Sequence, residues 1–431
     1  MAAFLRFFLI LIVGLSVCDC LAQSSWKALP NAPTRSGRHD DVFFINPSVG
    51  WVVNLAGEIH KTMDAGSSWQ LQRSGSGGFR SVGFADSLRG WAGTLDGNLL
   101  FQTRDGGATW TRVQNIPEPK PAGICGLSVV NASVVYGCGR YDGTPRVIKT
   151  VDGGTTWTTI DMSAHAGTLI DCYFLTPDSG FVIGGSREGV FPTTISAVVL
   201  FTGDGGRTWQ TRFTTSRPSE WGWKISFPSR RTGYVSIERS DAPTYCLKTA
   251  DGGVTWQEVF VQNLGLDVQG IGFATDTKGW VAARRTEIFE TSDGGATWQL
   301  VTFGGSINRF RMLSDTLGYA VGRTVYKYSP NTTAVAAAGT EKSSTVYYLS
   351  QNYPNPFNPA TQIIYGLRRA GLVKLQVFDL SGKVVATLVN EVKPIGNYAA
   401  HFAASGLASG LYFCRLQAGD FVTTRKMLLA R

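Results

Sequence analysis

The sequence has 431 residues and a net charge of +9, with 16% charged and 12% aromatic residues. The chain is too long for one ordinary domain, and so few charges beside so many aromatic residues exclude an intrinsically disordered protein. The 51 glycines follow no collagen period and favour many tight turns between strands, so the composition predicts an all-β protein. The sequence contains no H-E-x-x-H, G-x-S-x-G or G-x-x-x-x-G-K-[ST] motif, which argues against a zincin, an α/β-hydrolase and a P-loop enzyme.

The N-terminus has the pattern of a signal peptide. Arg6 precedes the apolar run Phe7–Val17, which is too short to span a bilayer but matches the core of a signal sequence. We expect residues 1–22 to be removed and the mature chain, which has no other segment apolar enough for a transmembrane helix, to be exported. A lipoprotein signal that uses Cys18 or Cys20 fits less well, because the residues before both cysteines are poor ones for lipidation.

Five cysteines remain after the signal peptide and would enter an oxidising compartment, where an odd number leaves at least one unpaired. Cys125 and Cys138 flank a predicted hairpin and are candidates for a disulfide, whereas five separate buried thiols are an equally good interpretation. The sequence contains no C-x-x-C motif and indicates neither a zinc site nor redox chemistry, so we expect no metal and no cofactor.

One eight-residue pattern, Thr-x-Asp-x-Gly-x-Ser/Thr-Trp, occurs six times, from Thr62–Trp69 to Thr291–Trp298. Successive copies lie 41 to 52 residues apart, and a period near 45 residues is typical of a four-stranded propeller blade. The carboxylate is suited to accept hydrogen bonds from the amides of a tight turn, the glycine to a positive φ, and the tryptophan to packing between blades. The six carboxylates, which we expect to be structural, belong to Asp64, Asp105, Asp152, Asp204, Asp251 and Asp293.

A glycine followed by an aromatic residue precedes most copies of this pattern, as at Gly90-Trp91. In the second repeat we predict strands A to D at Ser81–Ala85, Trp91–Thr94, Leu99–Thr103 and Thr109–Val113. The glycine-aromatic step then lies at the turn between strands A and B. The eight-residue pattern, which we call the Asp box, lies at the turn between strands C and D.

The two ends of the repeat array complement each other. A set of strands A to C follows the sixth box without a further box, and Ser24–Lys27 resembles the end of a box. Trp26 lies 43 residues before Trp69, which matches the internal period. We therefore predict a seven-bladed β-propeller over residues 23–330, in which the N-terminus supplies strand D of the last blade and pairs with the strand around Val325–Tyr328.

Residues 331–346 are rich in Thr, Ala, Gly and Ser and are expected to form a linker. Residues 347–431 contain about seven short alternating segments separated by turn signals such as Ser381-Gly382, which predicts a small Ig-like β-sandwich. This domain carries nine Lys or Arg residues against three acids. The propeller retains a net charge of only +3, which makes it a poor candidate for nonspecific binding of nucleic acid.

The six boxes are those of the BNR/Asp-box propellers, and the whole repeat resembles that of the photosystem II stability/assembly factor type of seven-bladed propeller. The resemblance covers residues 24–330. It implies the fold strongly and the function weakly, because the same box occurs in sialidases, xyloglucanases, sortilin-like receptors and assembly factors.

The C-terminal segment resembles the class A sorting domain of the type IX secretion pathway of Bacteroidetes-like bacteria. The matching segments are Tyr353–Pro359, Phe378–Gly382, Gly406–Tyr412 and Arg425–Leu429. The resemblance implies the type IX secretion machinery as a partner, passage through the periplasm and an outer-membrane translocon, and a final place in the medium or on the outer cell surface, commonly with removal of the domain. An ordinary Ig-like module of the flagellar-hook-cap kind is the structural alternative.

In a propeller the loops from strand D to A and from B to C gather on one face around the central channel, and the boxes lie on the opposite face. The basic and aromatic residues assigned to this loop face are His39, Arg80, Arg140, Arg187, Arg217, Trp221, Trp223, Lys224, Arg284, Arg285, Arg309 and Arg311. Arg80, Lys224 and Arg309 occupy corresponding positions near the start of strand A, so we expect them to converge at the channel mouth. Solvated cations at the rim and a tryptophan between blades are the alternative interpretation.

We select six candidate ligand-binding residues on this face: Arg80, Trp221, Trp223, Lys224, Arg309 and Arg311. Guanidinium groups suit the bidentate capture of carboxylates or phosphates, and tryptophans can stack on a sugar or a peptide side chain. We therefore expect the loop face to be the more basic one and to bind an anionic partner, either a sugar acid or an acidic protein segment.

Two classes of function remain: a monomeric, non-catalytic module that binds a protein or a glycan, and a glycan-active enzyme. A sialidase would need an Arg-Ile-Pro segment, which is absent. A carboxylate-pair glycosidase needs two acids about 5–10 Å apart in a cleft, and the loop face holds few acids, mainly Asp40, Asp41 and Asp171. The sequence therefore favours a binding module without catalytic residues.

Overall fold

A computed structural model describes residues 25–140, 142–188, 193–330, 347–352 and 355–430. The predicted signal peptide, residues 1–22, and the predicted linker, residues 331–346, lie outside the described residues, as do Tyr353 and Pro354 of the sorting motif. The elements of the described ranges are β-strands, which confirms the all-β class, and no helix in these ranges is long and apolar enough to cross a membrane. The chain divides into two compact units, Met1–Thr332 and Thr333–Arg431.

The first unit is a seven-bladed β-propeller of 28 strands in seven four-stranded antiparallel sheets. The N-terminal strand is β1 (Trp26–Ala28). Blades 1 to 3 comprise β2 (His39–Phe44), β3 (Gly50–Asn54), β4 (Ile59–Thr62) and β5 (Gln70–Arg73); β6 (Phe79–Phe84), β7 (Gly90–Thr94), β8 (Leu100–Thr103) and β9 (Thr111–Arg112); and β10 (Gly126–Val129), β11 (Val135–Cys138), β12 (Arg146–Thr150) and β13 (Thr158–Asp161).

Blades 4 to 6 follow the same order of four consecutive strands. They comprise β14 (Thr168–Phe174), β15 (Gly180–Gly185), β16 (Ala197–Thr202) and β17 (Gln210–Thr214); β18 (Trp221–Ser226), β19 (Gly233–Glu238), β20 (Thr244–Thr249) and β21 (Gln257–Gln262); and β22 (Val268–Phe273), β23 (Gly279–Ala283), β24 (Ile288–Thr291) and β25 (Gln299–Val301). Blade 7 contains β26 (Arg309–Met312), β27 (Gly318–Val321) and β28 (Val325–Tyr328).

The ring closes through the N-terminal strand. In blade 7, β1 pairs antiparallel with β28, so that Trp26 lies opposite Tyr328 and Ala28 lies opposite Tyr326. The indole of Trp26 packs edge-on against Trp280 of blade 6, with 5.2 Å between ring centroids. The predicted seven blades and the predicted closure are therefore confirmed, and β28 has no open edge where it pairs with β1.

Aromatic residues join neighbouring blades. In several blades the aromatic residue at the start of strand B stacks on the phenylalanine that ends strand A of the next blade. Trp51 stacks on Phe84 in this way, and Tyr136, which follows Val135 instead of a glycine, stacks on Phe174, each with 3.5 Å between centroids. The box tryptophan of that blade meets the same ring edge-on, with 6.4 Å from Phe174 to Trp209. Each such aromatic pair contributes about 0.5–1.5 kcal/mol beyond its buried area, so the repeat specifies the packing between blades.

The glycine of the glycine-aromatic step begins strand B and does not form the preceding turn. A Cβ atom at Gly50 would lie 2.6 Å from the ring of Phe44 in the same blade, and one at Gly90 would lie 2.4 Å from the ring of Phe84. Only glycine fits there, because a side chain would overlap the ring that the neighbouring blade needs for stacking. The prediction that placed this step in the turn between strands A and B is therefore wrong for the glycine.

The Asp boxes form turns between strands C and D with a shared hydrogen-bond pattern. In the third box, Thr150 Oγ1 donates to Asp152 Oδ1 (2.8 Å) and accepts from the amide of Gly154 (2.9 Å). The hydroxyl and the amide of Thr156 donate to the two carboxylate oxygens of Asp152 at 2.6 and 2.8 Å. These bonds, with those from Thr156 the largest, lower the pKa of Asp152 to about 2.

Replacement of Asp152 by Ala is expected to lower the melting temperature of the mature chain, because Thr156 loses both of its acceptors. Folding lowers the pKa of Asp152, so its contribution to stability is present above its ordinary pKa of about 4 and is lost as the pH falls towards 2. Calorimetry of wild type and Asp152→Ala should therefore give a difference in melting temperature that shrinks over this range. Asp178→Ala, in an exposed turn, is the control, and a constant difference for Asp152→Ala would contradict the expectation.

The five cysteines in the described residues are buried free thiols. Cys125 and Cys138 lie in one blade, where the amide of Cys125 donates to the carbonyl of Cys138 (2.9 Å). The thiol of Cys138 is hydrogen-bonded to that of Cys172 in the next blade, and burial raises its pKa. The structure therefore agrees with the interpretation of separate buried thiols and not with a disulfide between Cys125 and Cys138.

The second unit is a small sandwich of two antiparallel sheets. Its strands are β29 (Tyr348–Leu349), β30 (Ala360–Leu367), β31 (Gly371–Phe378), β32 (Val384–Lys393), β33 (Gly396–Ala403), β34 (Gly410–Ala418) and β35 (Phe421–Leu429). One sheet has the order β29-β30-β33 and the other the order β32-β31-β34-β35. Seven strands in two sheets around one apolar core confirm the predicted β-sandwich.

Candidate ligand site at the channel mouth

The start of strand A faces the central channel. In five blades strand A carries a β-bulge there, for example between His39 and Asp41 in blade 1. The bulge inserts one residue, which is Asp40 in blade 1, and redirects its side chain. Arg309 of blade 7 contacts Asp171 of blade 4, so side chains from this level of the ring meet across the channel.

Arg80 is not equivalent to Lys224 and Arg309. In blade 7, Arg309 pairs with Val321, the third residue after the glycine that begins strand B. In blade 5, the amide of Lys224 donates to the hydroxyl of Ser236, which is also the third residue after that glycine. In blade 2 this level is occupied by Ser81, and Arg80 is the inserted residue before it. The expectation of three corresponding positions is therefore wrong, because Arg80 is the inserted residue of its bulge and lies one position nearer to the loops.

Buried ion pairs hold Arg309 across the channel. Its two terminal nitrogens donate to the two oxygens of Asp171 at 2.8 and 3.0 Å, and its Nε donates to Asp41 Oδ1 at 3.0 Å. The same carboxylates accept backbone amides of the following blades, those of Val82 (3.0 Å) and Ile225 (3.2 Å). Burial opposes the charge of Arg309, but Asp171 and Asp41 outweigh it and raise its pKa.

The side-chain amine of Lys224 lies beside this network without a hydrogen-bond partner among the described residues. Its side chain is fully buried, and its Nζ makes no hydrogen bond there. Burial first, and then the charge of Arg309, lower the pKa of Lys224 to about 8, although Asp171 acts in the opposite direction. The channel interior therefore contains an amine whose charged form is disfavoured by folding.

The stability of the wild-type chain is expected to rise from about pH 8 to pH 10.5 relative to that of Lys224→Met. The folded-state pKa of Lys224 is the lower one, so in this window the unfolded chain binds more protons and a rise in pH favours folding. Met has a similar length and no charge, and its variant lacks this contribution. Urea unfolding of both chains across this range measures the difference, and parallel curves would contradict the assignment.

A pocket of about 740 Å³ opens above these ion pairs on the loop face. Five arginines and one acid are among its lining residues: Arg35, Arg38, Arg80, Arg284, Arg323 and Glu238. Two tryptophans, Trp221 and Trp223, line it as well. The formal charges of these lining residues sum to +4, before the acids Asp40 and Glu58 that pair with three of the arginines are counted.

Side chains from four blades form the floor of the pocket. Arg80 forms an ion pair with Asp40 and lies 4.9 Å from the ring centre of Trp223, whose Nε1 donates to Asn308 Oδ1 (2.8 Å). Arg38 covers them, with its Nε donating to Asp40 Oδ1 (3.1 Å). Burial and then the charge of Arg80 lower the pKa of Arg38 to about 10. These contacts hold the side chains of the pocket floor in place without a ligand.

Glu238, the acid of the pocket, has both of its oxygens engaged. Trp221 Nε1 donates to Glu238 Oε2 (3.1 Å), and Gln269 Nε2 donates to Oε1 (2.8 Å). Burial raises the pKa of Glu238, and the hydrogen bond from Gln269 acts against this shift. The carboxyl group therefore positions Trp221 and Gln269 at the wall of the pocket.

The structure brings together only part of the predicted site. Arg80, Trp221 and Trp223 line the pocket, whereas Lys224 and Arg309 are not among its lining residues. Arg80, Lys224 and Arg309 are 3%, 0% and 4% exposed, so the alternative of solvated rim cations is wrong for them, because aspartates neutralise Arg80 and Arg309 inside the channel.

Arg311, the sixth predicted residue, lies outside the pocket. Its Nε donates to the carbonyl of Val42 (3.3 Å), and its guanidinium lies 5.8 Å from the ring centre of Phe43. Sequence reasoning missed three of the lining arginines, which are Arg35 and Arg38 in the loop before β2 and Arg323 in the loop between β27 and β28, and it also missed the acid Glu238. The rule that loops from strand D to A and from B to C gather on the loop face would have identified these arginines. One loop follows strand D of blade 7 and the other joins its strands B and C.

The Asp boxes lie on the face opposite to the pocket. Box amides donate to carbonyls in the turn between strands A and B of the same blade, such as Gly106 to Leu88 (2.8 Å) and Gly205 to Asp178 (2.7 Å). That turn is at the far end of strand A from the bulges. A box substitution therefore acts at a distance from the pocket.

Comparisons with known proteins extend these observations. Residues 351–430 match the family described as "Secretion system C-terminal sorting domain". A stretch of 164 residues is 30% identical to the Photosystem II assembly lipoprotein Ycf48 of Synechococcus sp. (strain CC9902), with 35% of this chain and 46% of that protein covered. The chain thus spans about half the length of this curated relative.

Solved structures with a similar fold include "YCF48 bound to D1 peptide", 18% identical with a TM-score of 0.55, over 72% of this chain and 97% of that chain. PorZ, a bacterial surface component of the type-IX secretion system of Porphyromonas gingivalis, is 14% identical with a TM-score of 0.52, over 91% and 59% of the two chains. An ancestral GH74 enzyme is 14% identical with a TM-score of 0.52, over 94% and 64%. At these identities the likeness shows the fold alone.

The sorting-domain match indicates export to the cell surface or the medium. The chain therefore joins a β-propeller similar to Ycf48 to a secretion system C-terminal sorting domain.

Proposed function

We propose that this chain is an exported, non-catalytic β-propeller that binds an acidic protein segment in the pocket at the channel mouth. The observation that carries the proposal is the lining of that pocket, with five arginines against one acid. Because the acid is already hydrogen-bonded to Trp221 and Gln269, an incoming carboxylate meets an excess of positive charge.

Two arginines at the rim are available for a ligand. Arg38 and Arg80 are engaged by Asp40, and Arg35 is paired with Glu58 (2.6 Å). The exposed side chains of Arg284 and Arg323 make no ion pair with a described residue. An exposed guanidinium group without an ion pair can bind a carboxylate through two hydrogen bonds. Arg284 and Arg323 are therefore the residues expected to contact the partner first.

A peptide is favoured over a glycan as the partner. A sugar-binding tryptophan presents one open ring face, whereas Trp223 is 5% exposed and stacked by Arg80. The similar propeller Ycf48 is described as bound to a D1 peptide. An extended peptide segment with acidic side chains could form ion pairs with both Arg284 and Arg323, and this mode of binding does not require an exposed tryptophan ring.

A glycan-active enzyme is the second candidate, since an ancestral GH74 enzyme shares the fold. Hydrolysis by a carboxylate pair needs two acids about 5–10 Å apart that both face the substrate. Glu238 is the acid in the lining of the pocket, and Asp41 and Asp171 are held below it by Arg309. This arrangement favours binding over catalysis.

The test is a binding screen of the mature full chain against acidic and neutral peptides and acidic and neutral glycans, with release of reducing sugar monitored in parallel. We expect binding to acidic peptides, weaker binding at higher salt because screening reduces charge attraction, and no release of sugar. Turnover of any glycan would favour the enzyme, and equal binding of neutral and acidic peptides would contradict the role of the arginines.

Delivery of the propeller to the cell surface or the medium is expected to depend on the sorting domain. In a host with a type IX secretion machinery, a chain that ends at Pro330 should remain in the periplasm, while the full chain should leave it. Cell fractionation with antibodies against the propeller measures both. Equal delivery of the two chains would contradict a sorting role for residues 347–431.

A further inference from the structure

The sorting domain has one sheet side that is both exposed and apolar. In the sheet of β32, β31, β34 and β35, the inward side chains, among them Leu375 and Leu416, belong to the core of the sandwich. The residues that alternate with them point outward. Leu372, Val392 and Val422 on that side are 54%, 71% and 54% exposed. We call these outward side chains of the four strands the outer face.

Cross-strand pairing arranges the outer face in rows. One row runs across all four strands through Val384, Phe378, Phe413 and Lys426. Arg415 follows Phe413 in the next row, and its guanidinium lies 4.6 Å from the ring centre of Phe378. An arginine that is already held over an aromatic ring loses less conformational entropy on binding a carboxylate than a freely moving arginine does. The outer face therefore combines apolar contact area with a positioned cation.

The charges on the outer face have one sign. Lys374, Arg415 and Lys426 are exposed and point outward. Among the described residues of the second unit, the acids lie in turns or on the inward side of an edge strand, at Asp379, Glu391 and Asp420. In the part of the domain that the structure describes, the outer face therefore carries three cations and no acid, beside apolar side chains that remain exposed.

The other sheet of the sandwich serves as an internal comparison. On its outward side, Gln362 lies opposite His401, with 3.4 Å between their side-chain nitrogens. Its strands β29, β30 and β33 contain no Lys, Arg, Asp or Glu residue. The combination of cations and exposed apolar residues is thus specific to one side of the domain.

We propose that the outer face docks onto an acidic protein surface of the secretion machinery, with Lys374, Arg415 and Lys426 facing carboxylates and the apolar rows packed between them. The proposal rests on the sorting-domain match and does not depend on the ligand of the propeller. A protein is favoured over an anionic lipid surface, because lipid-binding basic segments carry about four to eight cations and the outer face carries three.

The test compares export of the full chain and its variants in a host with a type IX machinery. The triple variant Lys374→Glu, Arg415→Glu and Lys426→Glu is expected to reduce the exported fraction about tenfold, since three attractive pairs become repulsive. The control, Arg368→Glu, Arg369→Glu and Lys393→Glu, changes the charge equally at residues that do not belong to the outer face, and it also removes the ion pair of Lys393 with Glu391. It should be exported like wild type.

A charge-conserving triple, Lys374→Arg, Arg415→Lys and Lys426→Arg, separates docking from folding and is expected to be exported at the wild-type level. Thermal unfolding of the purified variants must give the wild-type midpoint for the sandwich. If the Glu triple is less stable, the Gln triple at the same positions replaces it, and a partial loss of export is expected. Normal export of a folded Glu or Gln triple overturns the proposal.

A membrane partner is tested separately. The purified full chain is mixed with vesicles that contain anionic phospholipid, and no binding is expected at physiological salt. Binding to these vesicles that the Glu triple abolishes would overturn the choice of a protein partner and assign the outer face to a lipid surface.

Discussion

Deletion of residues 23–30 is expected to remove most of the stability of the propeller. The deletion takes away β1, the fourth strand of blade 7, and leaves the edge of β28 unpaired. It also removes Trp26, which packs on Trp280 and Phe310 at 5.2 and 5.3 Å. Loss of a buried tryptophan alone costs about 3–5 kcal/mol, which is a large part of the roughly 5–15 kcal/mol that stabilises a domain.

Urea unfolding of the mature chain measures this effect, with two controls. Trp26→Ala keeps the strand pairing and should cost about 3–5 kcal/mol, whereas Lys27→Ala, at an exposed position of the same strand, should change stability by less than about 0.5 kcal/mol. If the chain without residues 23–30 unfolds at the wild-type midpoint, ring closure by β1 does not stabilise the propeller.

Replacement of Arg309 by Met is expected to lower the free energy of unfolding at pH 7 by about 3–5 kcal/mol. The substitution leaves the carboxylates of Asp171 and Asp41 buried without the cation that neutralises them. Arg311→Met is the milder comparison, since Arg311 is partly exposed, donates to the carbonyl of Val42 and forms only a longer ion pair of 3.7 Å with Asp41. It should cost about 1 kcal/mol or less.

The pH dependence of Arg309→Met should differ in sign from that of wild type. Burial alone would raise the pKa of Asp171, but Arg309, followed by Lys224, outweighs burial and lowers it. In wild type the contribution of Asp171 is therefore present above its ordinary pKa of about 4 and is lost below it. Without Arg309 the largest interaction that lowers this pKa is gone and burial raises it, so the stability of the variant should fall as the pH rises above about 4. Curves of equal slope would contradict the ion pair.

The repeat was sufficient to predict the fold of the propeller, because each feature of the pattern has a local physical role. The box turn is formed by side chains within eight residues, as in Thr150–Trp157. The spacing of Trp26 from Trp69 was enough to predict the closure. These contacts recur at a fixed distance along the chain and therefore leave a periodic signal.

The channel network could be predicted only in part, because its contacts have no such period. Arg309 lies 268 residues from Asp41 and 138 residues from Asp171 along the chain. A sequence pattern gives no indication that these residues meet. The offset of Arg80, by contrast, could have been counted in the sequence, because Arg80 lies ten residues before the glycine that begins strand B, whereas Lys224 and Arg309 each lie nine residues before theirs.

Calorimetric titration measures whether the arginines at the channel mouth bind an acidic peptide. The mature chain, Arg284→Ser with Arg323→Ser, and the control Arg104→Ser with Arg230→Ser are titrated with one acidic peptide at two salt concentrations. The control removes two exposed arginines from a box and from a turn between strands A and B, on the opposite face. We predict that only the mouth variant binds about 5- to 30-fold more weakly, with a flatter salt dependence. Equal affinity of all three chains would contradict binding of the peptide by the arginines at the channel mouth.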